Sequence, residues 1–132
     1  MTTAERPKIL AVDDVPDNLF LLEVIVGEMG DCQLSCANNG AAALKMIEAA
    51  PPDLVLLDVM MPDMNGYEVT RRVRQNKALP YIPIILLTAH AELDAAEGLE
   101  IGADAFVRKP YDVDELLACI RRSLKREHAL CA

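Results

Sequence analysis

Lys8-Ile9-Leu10-Ala11-Val12-Asp13-Asp14 is an apolar run of strand length that stops on two adjacent carboxylic acids. A second run of the same kind, Asp53-Leu54-Val55-Leu56-Leu57-Asp58, stops on another. Short, unbroken apolar runs are the mark of strands buried on both faces, as in a parallel sheet. Each run therefore predicts a buried strand carrying its acids at the C-terminal end. In an open parallel sheet, ligands gather outside that edge, where strand order reverses. Carboxylates forced together there repel, so the group must hold a proton or a cation. An all-oxygen acidic set suits Mg2+ better than a soft metal.

Outward from these runs, strand-like and helix-like segments alternate along the whole chain. Residues 15–29 place Leu22, Ile25, Val26 and Met29 at helical spacing, with Pro16 where a first helical turn tolerates proline. Gln33 to Ala37 reads as a weak second strand, closed by the turn signal Asn38-Asn39-Gly40. An alanine-rich helix over Ala41 to Ala50 stops at Pro51-Pro52. A third helix spans Tyr67 to Gln75, and a fourth strand spans Tyr81 to Thr88 with Pro83 tolerable only near its start. A fourth helix is expected at about Glu92 to Ile101, weakened by Gly98 in its interior. Ala105 to Arg108 forms a short fifth strand. The last helix carries the stripe Val113, Leu116, Leu117, Ile120 and Leu124, and Asp112 with Glu115 resembles a capping box at its start. Alternation of this kind implies right-handed crossovers and a five-stranded parallel sheet with helices on both faces.

Length and composition narrow the function. The 132 residues are sized for one domain with a single core, and a hydrophobic fraction of 52% excludes a disordered chain. The formal net charge of −8 repels phosphate backbones, which disfavours nucleic acid and anionic membranes as partners. No apolar stretch reaches the length of a signal peptide or a membrane span, so the reading is a soluble, cytoplasmic protein. Cys32, Cys36, Cys119 and Cys131 show no metal-like or CxxC spacing and read as reduced structural thiols.

Asp13-Asp14 after the first strand, Asp58 after the third, Thr88-Ala89 after the fourth and Lys109-Pro110 after the fifth together resemble the receiver domain of two-component response regulators. The loop Asp58-Val59-Met60-Met61-Pro62-Asp63-Met64-Asn65-Gly66 is similar to that family's as well. The resemblance covers nearly the whole chain. It implies a flavodoxin-like, doubly wound (βα)5 fold with strand order 2-1-3-4-5, and a single receiver domain over residues 1–132 with its core at about 7–126.

The resemblance also implies roles. Asp58 is the phosphoacceptor, forming an acyl phosphate. Mg2+ is held by Asp13, Asp14, Asp58 and the backbone carbonyl of Met60. Lys109 and Thr88 serve the phosphoryl oxygens, and the Lys109-Pro110 bond is cis. Thr88 and Phe106 form the switch that carries the signal. Met60 and His90, each two residues past a site residue, tune the lifetime of the phosphoryl group. The implied partners are a sensor histidine kinase or phosphotransfer protein and a downstream protein, the latter meeting the face made by the fourth helix, fifth strand and fifth helix; homodimerisation fits the same pattern. The chain would catalyse only its own phosphorylation and slow dephosphorylation, which sets it apart from a turnover enzyme. Excision from a larger regulator or hybrid kinase is an alternative reading of the same residues. The basic cluster Arg121-Arg122-Lys125-Arg126 reads as a solvated helix face that complements the C-terminal dipole.

Two rivals use the same fold for other chemistry. A flavodoxin-like FMN binder needs a loop of small residues after the first strand to offer amides to a phosphate. Here that loop is Asp13-Asp14-Val15-Pro16-Asp17-Asn18, which repels phosphate without a metal. An aspartate-nucleophile hydrolase needs a second acid two residues after the nucleophile, and Met60 stands there.

Overall fold

In the computed structural model, which describes residues 6–89, 98 and 100–131 (125–131 as helical backbone), the two apolar runs lie side by side at the centre of the sheet. Strand β1 is Lys8–Val12, β2 Gln33–Ala37, β3 Leu54–Asp58, β4 Ile84–Thr88 and β5 Ala105–Arg108. Helices are α1 Pro16–Gly27, α2 Gly40–Ala49, α3 Gly66–Gln75 and the C-terminal α4, Val113–Cys131. All neighbouring strands are parallel, in the order β2-β1-β3-β4-β5, as the family resemblance implies. The helix expected at about 92–101 falls mostly outside the described residues; Gly98, Glu100 and Ile101 are helical.

Each strand alternates its side chains between two apolar layers, the geometric consequence of a two-residue period. Leu10, Val12, Val55, Leu57, Ile84 and Leu86 face α2 and α3, where Ala43, Ile47, Val69 and Val73 meet them. Ile9, Ala11, Leu54, Leu56, Ile85, Leu87 and Val107 face α1 and α4, against Leu22, Ile25, Val26, Leu116 and Ile120. Burial on both faces explains why β1, β3 and β4 read as unbroken apolar runs. The edge strand β2 is largely exposed, and its sequence is correspondingly weak.

Local chemistry sets the ends of the elements. Pro16 opens α1, Asn39 Oδ1 accepts from the Ala42 amide at 2.7 Å to cap α2, and Asn65 Oδ1 accepts from Glu68 at 3.0 Å to cap α3. Asp112 caps α4 by accepting from the Glu115 amide at 3.1 Å, the first half of the expected capping box. Strand β4 begins at Ile84, later than expected from Tyr81, because Pro83 cannot donate to the ladder. Below the start of β4, Arg74 of α3 donates to the carbonyls of Gly102 and Ile82 and pairs with Asp104 at 3.0 Å. The Tyr81 hydroxyl donates to the same carboxylate, and the guanidinium lies 4.5 Å over the Tyr81 ring. This network ties α3 to the segment entering β5 at the N-terminal edge of the sheet, away from the acids. No described helix is long and apolar enough to cross a membrane.

Candidate functional site

Strand alternation decides which side chains can meet at the C-terminal edge. Asp13 is two residues beyond Ala11, Asp58 two beyond Leu56 and Lys109 two beyond Val107, and all three of those apolar residues face α1 and α4. The acids and the lysine therefore emerge on one face. Thr88, two beyond Leu86, belongs to the opposite face, as does Phe106.

The side chains of Asp13, Asp14 and Asp58 bring one oxygen each to within 4.8 Å of one another. Asp13 is 0% exposed and Asp58 3%, while solvent reaches Asp14. Lys109 Nζ bridges the two buried acids, at 2.7 Å from Asp58 Oδ1 and 3.2 Å from Asp13 Oδ2. Asp13 Oδ1 accepts from the Val15 amide at 3.0 Å, which turns the chain out of β1 into α1; Val15 itself, which has no capping side chain, occupies the N-cap position. Capping thus accounts for one oxygen of one acid and leaves the pairing of Asp13 with Asp14 to other chemistry.

Burial pushes the Asp58 carboxyl above its usual range; Lys109 opposes this, and the charges of Asp13 and Asp14 add to it. For Lys109, burial acts to lower the ammonium, but its hydrogen bond to Asp58 and the charges of Asp58 and Asp13 outweigh that and raise it. The lysine is a fixed positive charge inside an acidic group that is short of counter-charge. Three crowded carboxylate oxygens, two of them buried, fit a hard divalent cation that takes a few protein oxygens and keeps its own waters. One lysine does not neutralise three acids.

The β3–α3 loop closes over this edge by a close backbone approach. A Cβ on Gly66 would stand 2.6 Å from the Asp58 carbonyl oxygen, and the Gly66 amide donates to Val59 at 3.0 Å. Met60, between them in sequence, is 67% exposed. Thr88 is 1% exposed, and its carbonyl accepts from the Lys109 amide at 2.9 Å. The Lys109-Pro110 bond is cis. Phe106 is half-buried, its ring lying where a side chain at residue 98 would be: a Cβ on Gly98 would fall 2.1 Å from the ring. His90 lies outside the described residues.

Sequence reasoning missed one residue at this edge. Tyr111, following the cis bond, packs against the layer that leads to Asp13, Asp58 and Lys109. Its hydroxyl oxygen is shut off from solvent and finds no hydrogen-bond partner among the described residues. Burial, then the charges of Asp13 and Asp58, raise the phenol above its ordinary range. In the sequence it reads as one more aromatic core residue; only the placement of its oxygen distinguishes it.

The comparisons with known proteins agree with this architecture. Residues 9–121 match the model of the response regulator receiver domain. The chain is 34% identical over 127 residues to Response regulator Rre1 of Synechocystis sp., covering 96% of this chain and 55% of that protein; it thus spans about half the length of this curated relative. Among solved structures, it resembles a putative response regulator from Chloroflexus aurantiacus (TM-score 0.86, 31% identity, covering 92% of this chain and 99% of that one). It also resembles the receiver domain of a signal transduction histidine kinase from Syntrophus aciditrophicus (TM-score 0.82, 36% identity, 90% of each chain). A further likeness is to the chemotaxis protein CheY4 of Vibrio cholerae (TM-score 0.83, 29% identity, 90% of this chain and 99% of that one). With the acids, the lysine and the cis peptide at one sheet edge, and the family match over residues 9–121, this chain belongs to the response regulator receiver domains of two-component systems.

Proposed function

We propose that this chain, as a single receiver domain with its core at about 7–126, accepts a phosphoryl group on Asp58 from a phosphohistidine of a sensor kinase or phosphotransfer protein. The observation that carries the reading is the bridge of Lys109 Nζ between Asp58 and Asp13, inside a cluster of three acids. One Asp58 oxygen attacks phosphorus as the bond from phosphorus to the imidazole nitrogen breaks. The imidazole leaves with the electron pair and becomes neutral; the product is an acyl phosphate. Asp13, Asp14, Asp58 and the Met60 carbonyl would hold Mg2+, which would supply positive charge for the phosphoryl oxygens. Lys109 supplies a second charge from a position already fixed beside the nucleophile, so no reorganisation is needed when charge develops.

Thr88 and Phe106 form the output. A phosphoryl group adds about −1.5 to −2 charges, and a hydrogen bond from the Thr88 hydroxyl to it is worth about 1.5–3 kcal/mol. That shifts a two-state equilibrium roughly ten- to a hundredfold. Thr88 moving toward the phosphoryl group leaves room on its own face for the Phe106 ring, and the change reaches a downstream protein through residues near 98–108 and the start of α4.

Incubation with a small acyl phosphate and Mg2+ tests the reading. One phosphoryl group is expected per chain, labile to hydroxylamine, absent in Asp58→Asn and, with Mg2+ binding, lost in Asp14→Ala. Label that persists in Asp58→Asn, or that maps to Ser, Thr or His, assigns the nucleophile elsewhere.

A further inference from the structure

We propose that the edge strand β2 pairs antiparallel with the β2 strand of a second copy of this chain, joining two sheets about a two-fold axis at Ser35. β2 ends the sheet, with β1 on one side and no strand on the other among the described residues. The Gln33 amide donates to the Pro7 carbonyl at 2.8 Å, and the Ala37 carbonyl accepts from the Asp13 amide at 3.2 Å. Gln33, Ser35 and Ala37 therefore turn their backbone groups toward β1, and by alternation Leu34 and Cys36 turn theirs away from the sheet. Such an edge is a template for another strand, which proteins blunt with charge, proline or a bulge. Gln33-Leu34-Ser35-Cys36-Ala37 carries no charge and no proline, is largely exposed, and matches β1 residue for residue without a bulge. The other edge is guarded: β5 ends on Arg108, and Lys109-Pro110 follows.

The strand's own residues fit a second copy as the occupant. In an antiparallel ladder, opposed residues whose groups face each other exchange both hydrogen bonds. With Ser35 opposite Ser35 of the second copy, Leu34 stands opposite Cys36 and Cys36 opposite Leu34, so every outward group of both strands is paired. Registers centred on Leu34 or on Cys36 leave part of each edge unpaired. Beyond these residues, Gln33 meets Ala37, Cys32 meets Asn38 and Asp31 meets Asn39. No two like charges stand opposite one another, the arrangement that would oppose pairing. The contact is self-complementary, uses each edge once and closes at two chains. β5, with Phe106, lies at the far edge of the sheet, so the pairing does not depend on phosphorylation.

Sedimentation equilibrium of the unphosphorylated chain tests the pairing, with a reductant present so that no Cys36 disulfide imitates it. A contact built on one short strand is weak, so the dimer is expected to grow with concentration and to be at least half formed at about 1 mM, a millimolar Kd. Cys36→Pro is expected to stay monomeric over the same range, because it removes an outward donor and costs β1 no hydrogen bond. Cys36→Lys, which sets a charge on the edge, is expected to do the same and carries the test if the proline variant fails to fold. In a mixture of 13C-labelled and unlabelled chains, a filtered NOE between the Ser35 Hα atoms of the two copies is expected, since opposed residues without mutual hydrogen bonds bring their Cα atoms to about 4.5 Å. An unmodified chain that is still monomeric at about 1 mM overturns the inference. So does a dimer that survives both substitutions, that lacks the Ser35 contact, or that forms only after acyl phosphate is added.

Discussion

The two faces of one sheet edge differ in kind. On the α1–α4 face, Asp13 and Asp58 are buried and tied together by Lys109. On the α2–α3 face, Thr88 ends its strand and the half-buried Phe106 ring packs against the apolar core beside Gly98. The division follows from single-residue alternation: Asp58 pairs in register with Leu87, and Thr88 is the next residue. At this edge the two faces are thus separated by a single step from one strand to its neighbour.

Removing Lys109 strikes the charged face and is expected to have the largest effect. In Lys109→Met, two buried acids lose their counter-charge, and breaking a buried pair leaves an unpaired charge inside the protein. The ammonium is partly solvent-accessible, so the expected cost is about 2–3 kcal/mol in the absence of Mg2+, read by urea denaturation. The rate of phosphorylation by acyl phosphate should fall by about 10²–10³, the usual penalty for losing a group that stabilises developing charge. If the comparison is right, amide exchange around Phe106 in the unphosphorylated protein stays as it was. Faster exchange there would show that the faces are coupled at rest.

Gly98→Ala strikes the apolar face. A Cβ there would overlap the Phe106 ring, and overpacking of this kind costs about 1–3 kcal/mol. The ring is expected to turn outward, seen in its NMR shifts, while the rate of acyl-phosphate labelling at Asp58 stays within twofold. Pairing the change with Phe106→Ala should recover most of the stability lost to the clash. A labelling rate that falls with the ring's displacement would break the separation of the two faces.

How much of this was readable beforehand depends on where the information resides. The strands β1, β3 and β4, and the acids at the ends of β1 and β3, were legible because burial on both faces leaves an unbroken apolar run that stops abruptly. Lys109 and its cis proline came through the family likeness, since a lysine before proline has no local signature of its own. The start of β4 was placed early, at Tyr81, because Tyr81 and Ile82 suit a strand and only the missing donor of Pro83 forbids it. Gly98 read as a weak point of a helix, whereas its structural part is the space it leaves for a ring eight residues later. The tie from Arg74 to Asp104 was hidden because it joins residues distant in sequence, and no periodicity records such a meeting.

The smallest expected effect is a pH dependence confined to the charged face. Burial holds the Asp58 carboxyl above its ordinary value of 3.8, against the pull of Lys109. In the window between that value and its folded one, the native state holds the proton more firmly than the unfolded chain does. Stability therefore falls as pH rises through the window, and the penalty persists above it. Asp58→Asn removes the penalty, so without Mg2+ its stability relative to the unmodified protein should climb with pH across the acid range and then level off. The loss of one Lys109 partner shifts the whole curve without bending it there, because Lys109 is held charged with its pKa raised and remains protonated throughout the acid range. The bend, rather than the offset, is the diagnostic. Urea denaturation of both proteins at steps between about pH 3 and 7, a span set by the ordinary carboxylate value, measures it. A difference that stays flat across that range would show that Asp58 ionises in the folded chain as readily as in the unfolded one, and that Lys109 alone sets the electrostatics of the site.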